Sequence, residues 1–390
     1  MTDAAANSCI MVIAGEVSGD LHASGLLREF RAKHPSVTAF GVGGEQMAQS
    51  GFERLYTVEE VSFLGFVEVI KHLPFIRRMM RRLVAETIKR KPKVIVLVDY
   101  PGFNLRFAAR IRKLAEIKHI PILYYISPQV WAWHASRVPQ IAELVDRMAV
   151  IFDFEAPIYE KVGLQTDFVG HPLLEVTKPK LTADEFRESL GLRSQERLIG
   201  LLPGSRAQEV TRLLPIFVRS FMQLAKRVDN LKAVIGCSPA LSEQYYRDLL
   251  QRSGLQHDGI RLVQGQTTDV QAHCDVALVA SGTATLETAI LVTPLVMAYK
   301  VAPLTYWIAR NLVKIPHIAL VNVVAGKRVV PEMIQYDARP DRIADQLQQF
   351  LPGHAAREIM IAELAEVKSR LGGLGASARV AEIVSEMMEP

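Results

Sequence analysis

The sequence predicts an α/β protein made of two Rossmann-like domains, and three observations carry that expectation. Short apolar, β-branched runs alternate with helical patterns along most of the 390 residues. Each run ends in a turn rich in Gly, Ser, Pro or Asp and feeds a helix, as parallel βα units require. The alternation pauses at the linker-like Lys178-Pro179-Lys180 and then restarts, and a chain of this length exceeds one compact core. Domains are therefore expected at 1–177 and 178–345. A helical segment at 346–390 is expected to pack back on the first domain or to be exchanged in a homodimer.

In the first half, strands are expected at 9–14, 38–42, 93–98, 120–126 and 148–152, the run at 93–98 being the cleanest buried strand. The first enters Gly15-Glu16-Val17-Ser18-Gly19-Asp20, a βα turn that lacks the G-x-G-x-x-G spacing of a dinucleotide site. Its glycines serve either the turn or a ligand cleft. The strand at 93–98 delivers Asp99 to its carboxyl end, where open α/β sheets gather ligands. A carboxylate there is placed for general-base work or for capping the next helix. Ser127 to His134 follows the next strand and carries Trp131 and Trp133, two of the three tryptophans. Aromatic residues in such a loop act as core lids or as sugar platforms.

The second half runs through strands expected at 198–202, 231–236, 260–263, 276–280 and 294–299. Pro203-Gly204-Ser205-Arg206 puts an arginine at a strand end, as a phosphate ligand or a surface charge. The stretch that organises the chain follows at 275–290. An apolar strand ends in Ser281-Gly282-Thr283 and passes into the helix former run Ala284 to Ile290. Exposed amides at a positive helix terminus suit a diphosphate. Gly282 permits close approach, Thr283 and Thr285 can donate hydroxyls, and Glu287 can accept from ribose hydroxyls. A capped helix after a strand is the plainer alternative. Ile318 to Asn322 is a short apolar run ending in an amide.

Composition narrows the class. Apolar residues make up 49% and charged residues 22%, as in ordinary globular proteins. Cys9, Cys237 and Cys274 are scattered without metal spacing, which suits a reducing compartment and gives no disulfide framework. No Asp-x-Asp metal clamp occurs and no cofactor is expected. The longest apolar tract is interrupted by Pro294, Lys300 and Pro303, so no bilayer-spanning segment is expected. Net charge is only +5, yet residues 71–93 hold nine Lys or Arg against Glu86 alone. Two helical pieces divided at Pro74 would group Phe63, Phe66, Val67, Ile70, Leu73, Ile76 and Met79 on apolar faces beside Arg77, Arg78, Arg81 and Arg82. The segment is then either core-packing with a solvated basic edge or a contact for an anionic membrane and acyl chains. Nucleic acid is not an expected partner.

Six segments, in order, resemble one family. They are Gly-Glu-x-Ser-Gly-Asp at 15–20, Asp-x-Pro-x-Phe-Asn at 99–104, Ser-Pro-x-Val-Trp-Ala-Trp at 127–133, Phe-Val-Gly-His-Pro at 168–172, Leu-Pro-Gly-Ser-Arg at 202–206 and Ser-Gly-Thr-Ala-Thr-Leu-Glu at 281–287. Together they resemble the lipid-A-disaccharide synthases of glycosyltransferase family 19, from about residue 9 to residue 340. The resemblance implies a GT-B fold with two Rossmann-like domains facing across a cleft. It implies UDP-2,3-diacylglucosamine as donor, 2,3-diacylglucosamine 1-phosphate (lipid X) as acceptor, and work at the cytoplasmic face of a Gram-negative inner membrane. Asp99 matches the family's proposed base. Arg206, Glu287 and Asn322 match donor-site positions, and Glu16, Ser18 and Asp20 would line the acceptor side. Rival readings are a UDP-N-acetylglucosamine 2-epimerase on the same plan and a non-catalytic nucleotide-sugar-binding protein.

Overall fold

The computed structural model describes residues 8–61, 72–132, 135–302, 306 and 316–389. The chain divides into two compact units, Met1–Pro172 with Gly372–Pro390, and Leu173–Leu371. Both are parallel sheets wrapped by helices, the architecture of a GT-B-like two-domain α/β fold.

Unit 1 has seven strands: β1 (Cys9–Ala14), β2 (Thr38–Gly43), β3 (Glu53–Thr57), β4 (Ile95–Val98), β5 (Ile122–Tyr125), β6 (Arg147–Val150) and β7 (Gln165–Phe168). They lie in the order β3-β2-β1-β4-β5-β6-β7 and every pairing is parallel. β1 and β4 are buried at every position because helices cover both faces. The order reverses between β1 and β4, so the loops after these strands frame a topological switch point. The last helix, Ala376–Met388, completes this unit by lying along helix Val17–Lys33. A Cβ at Gly25 would stand 2.5 Å from Ser377 Oγ, so the glycine permits that close approach. Arg147 clamps the arrangement by pairing with both Asp167 and Glu386, each at 2.6 Å.

Unit 2 has six strands: β8 (Arg197–Leu202), β9 (Leu231–Cys237), β10 (Ile260–Gln264), β11 (Val276–Ala280), β12 (Leu295–Tyr299) and β13 (Glu332–Ile334). Their order, β10-β9-β8-β11-β12-β13, is all parallel and is that of a dinucleotide-binding Rossmann sheet. Here the switch point lies between β8 and β11. Helices Pro340–Gln349 and Ala355–Arg370 pack within this unit.

Three strands run where no apolar signal was read: β3, the start of β7, and β13. All are edge strands with half-exposed sequences (ERLYT, QTDF, EMI), so burial on two faces never imposed a hydrophobic run. Of the two helical pieces expected on either side of Pro74, the first falls on residues outside the described ones and the second is present. Residues 73–90 form one helix, Leu73–Arg90, with Pro74 in its first turn, where its missing N–H is harmless.

Candidate active site

At the switch point of unit 1, β4 ends in two consecutive non-glycine residues with left-handed backbone, Asp99 (φ 44°) and Tyr100 (φ 49°). Such a pair is costly and persists only where its surroundings hold it. The Asp99 carbonyl accepts from Asn104 Nδ2 at 2.8 Å and from the Tyr124 hydroxyl at 2.7 Å, and the Asp99 N–H donates to Tyr125 O. The Tyr100 ring lies over Gly15, where a Cβ would fall 2.3 Å from the ring, and its hydroxyl donates to Val61 O. The Asp99 carboxyl is thereby held half-buried. Burial first, and the nearby Glu16 carboxylate second, raise its pKa to about 6. A carboxylate tuned that far toward neutrality suits proton abstraction near physiological pH.

The loop after β5 is locked beside this turn. Ile126, a β-branched residue at φ 65°, turns the chain so that Ser127 and Trp131 donate to one oxygen of Glu155, at 2.9 and 3.0 Å. Phe152 N–H donates to the other oxygen at 3.3 Å. Burial pushes Glu155 up to about 7 against those hydrogen bonds. Sequence reasoning missed Glu155. Its only sequence signal is an acid three residues past Phe152, whose carboxylate accepts from the Phe152 N–H at the entry to the next helix.

At the switch point of unit 2, a cavity of 480 Å³ opens between the turns after β8 and β11. Arg206, Ser281, Gly282, Thr283 and Glu287 all line it. Helix Thr283–Ile290 starts there from Gly282 at φ 138°, a conformation open to glycine alone, and a Cβ on it would meet nothing within 4 Å. The backbone is thus bare toward the cavity. Arg206 is mostly exposed and 3.5 Å from Glu209. Glu287 is largely buried, which raises its pKa, and it accepts weakly from Gln271 at 3.4 Å. Ser238, Thr267 and Gln271 also line the cavity and had not been singled out from the sequence.

The lipid-A-disaccharide synthetase family model matches residues 10–375. A lipid-A-disaccharide synthase of Geobacter sulfurreducens is 42% identical over 379 residues, covering 97% of each chain. One from Myxococcus xanthus is 41% identical over 382 residues, covering 98% of each. The chain belongs to the lipid-A-disaccharide synthase family.

Membership makes the protein a glycosyltransferase of lipid A biosynthesis, an enzyme whose substrates are a UDP-sugar and a lipid. Solved structures agree on the fold. A putative UDP-N-acetylglucosamine 2-epimerase from Listeria monocytogenes superposes with a TM-score of 0.67 at 12% identity, over 98% of this chain and 97% of that one. The Neisseria meningitidis UDP-GlcNAc 2-epimerase bound to UDP-GlcNAc gives 0.64 at 11%, over 97% and 100%.

Within this family member, several residues singled out from the sequence stand elsewhere than at a ligand surface. Asn322 is fully buried. It donates to Val330 O and Glu332 Oε1, and it accepts from the N–H groups of Val329 and Val330, which exhausts its amide. Thr285 is also buried and donates its hydroxyl to Gly282 O at 2.8 Å. Asp20 is buried too, and accepts from the N–H groups of Gly44, Gln46 and Met47, holding the start of helix Glu45–Gln49. Glu16, in the turn after β1, and Ser18, in the first turn of helix Val17–Lys33, are exposed. Met79 is fully buried in the unit 1 core, while Leu73 and Ile76 are half-buried. Arg77, Arg78, Arg81 and Arg82 are exposed along the same helix, Arg82 over the Tyr56 ring. Phe63, Phe66, Val67, Ile70, Trp133 and His134 lie outside the described residues. No helix among the described residues is long and apolar enough to cross a membrane.

Proposed function

We propose that the enzyme condenses UDP-2,3-diacylglucosamine with 2,3-diacylglucosamine 1-phosphate to give the β(1→6) disaccharide 1-phosphate and UDP. Asp99 takes the proton from the acceptor 6-hydroxyl as that oxygen attacks the donor anomeric carbon. The bond to the UDP oxygen breaks on the opposite face, and the configuration inverts. Charge grows on the departing diphosphate, and Arg206, the Thr283 hydroxyl and the amides of the 282–284 turn stabilise it. Glu287 accepts from the ribose hydroxyls. The observation that carries this reading is Asp99, a desolvated carboxyl held in a strained turn at a switch point, with a pKa of about 6.

The exposed arginines of helix Leu73–Arg90 support a site of action at an anionic membrane surface, the cytoplasmic face of the inner membrane. The acyl chains of both lipids would then stay near the bilayer as the sugars react. The test is UDP release from UDP-2,3-diacylglucosamine with and without lipid X. The expected result is release only when both are present, with one disaccharide formed per UDP. Conversion of the UDP-sugar alone would support epimerisation instead.

A further inference from the structure

A second cavity, of 250 Å³, opens on unit 1 between helices Pro101–Arg112 and Val138–Leu144. Leu105, Ile141 and Leu144 give it apolar walls, and Arg106, Arg137 and Gln140 are its polar members. No lining residue is acidic, in contrast to the unit 2 cavity, whose wall includes Glu209 and Glu287. Helix Pro101–Arg112 contains no acidic residue, so Arg106 has no partner on its own helix. Arg112, on that same helix, is paired with Asp146, whereas Arg106 and Arg137 are exposed and make no ion pair among the described residues. Two unneutralised guanidiniums beside an apolar wall form a site for an anion that carries hydrocarbon. Guanidinium forks match phosphate oxygens in pairs.

Position supplies the rest. Pro101 and Gly102 line the cavity and directly follow Asp99 and Tyr100. A Cβ at Gly102 would meet nothing within 4 Å, so the space over the first helical turn is open. Arg106 stands five residues beyond Pro101, about 7–8 Å along the axis.

We propose that this cavity binds the phosphomonoester of the acceptor lipid, with Arg106 and Arg137 holding its oxygens. The site would set which end of the acceptor sugar is presented to Asp99. The inference rests on the acceptor reading above, and its test separates the two.

UDP release is measured in nonionic detergent micelles with 2,3-diacylglucosamine 1-phosphate and with the same lipid lacking its phosphate. The wild-type enzyme should favour the phosphorylated acceptor in kcat/KM by about ten- to a hundredfold. The double variant Arg106→Gln with Arg137→Gln should make the two acceptors equal, while the KM for the donor is unchanged. Gly102→Leu, whose Cβ would meet no neighbour within 4 Å and which stands at the cavity wall, should narrow the preference in the same direction. A wild-type enzyme with no preference would overturn the proposal and leave the acceptor reading standing. So would a double variant that keeps the full preference but binds anionic phospholipid vesicles less well, which would assign the arginines to bilayer headgroups. Failure to release UDP with either acceptor would contradict the acceptor reading itself, and the proposal with it.

Discussion

The carboxyl edges of the two sheets share one topology and use it in opposite ways. In unit 1 the switch point holds bulky residues in left-handed backbone, Asp99 and Tyr100, with Ile126 one strand over. In unit 2 the equivalent position is Ser281-Gly282, where glycine adopts its unusual dihedral at no steric cost. The first edge spends stability to hold a carboxyl where water is scarce. The second exposes backbone amides and keeps its surface small. A general base gains from desolvation, because its pKa must rise. A diphosphate site gains from uncovered donors at a helix terminus. One fold can serve both needs because the strands fix the edge and leave the turns free to differ.

That contrast can be broken at four places, taken from the largest expected effect downward. Asn322→Ala removes four hydrogen bonds, three of them buried, and strands two amides, and should cost roughly 3 kcal/mol or more in a denaturant melt. If Asn322 is structural, UDP affinity of the protein that remains folded should stay within about twofold, since less than 0.5 kcal/mol of direct contact is lost. Asp99→Asn should move stability the other way. Because the folded pKa is raised to about 6 from 3.8, the folded state binds more protons, and stability falls as pH rises through that window. A neutral amide escapes the penalty, so the variant should gain up to about 3 kcal/mol at neutral pH and nothing near pH 3. Equal melting points at both pH values would remove the desolvation argument.

Arg206→Ala should weaken UDP binding by about ten- to a hundredfold, as loss of a charge-assisted contact to phosphate does. Calorimetric titration with UDP and with uridine distinguishes this from a general loss, because uridine affinity should not change. The smallest effect is expected at Glu16→Gln. Removing that charge should lower the Asp99 pKa, though by less than the rise that burial causes, since Coulomb interaction near an exposed group is weak. The acidic limb of the kcat/KM profile should therefore shift to lower pH, the direction in which an ionised base persists longer.

The sequence was most legible where burial left no choice. β1, β4 and β11 are enclosed on both faces, so their residues form unbroken apolar runs readable by composition alone. The edge strands β3, β7 and β13 have a face or a rim in solvent, and their polar residues concealed them. At the candidate site, the turn residues at 281–283 and Arg206 were legible because glycine and helix N-termini carry local signals. Asn322, Thr285 and Asp20 hydrogen-bond to backbone groups near them, a use that the sequence did not separate from ligand contact. A polar side chain at a strand or helix end satisfies either a ligand or the backbone, and only coordinates tell which. Glu155 escaped because its partners Ser127 and Trp131 are more than twenty residues away in sequence.

The division of labour between the two edges is tested most directly by Asp99→Ala, with UDP affinity and lipid-dependent UDP release measured on the same preparation. Affinity should remain within about twofold of the wild type, while turnover falls by about a hundred- to ten-thousandfold. Turnover close to the wild-type rate, or UDP binding lost together with turnover, would contradict the account.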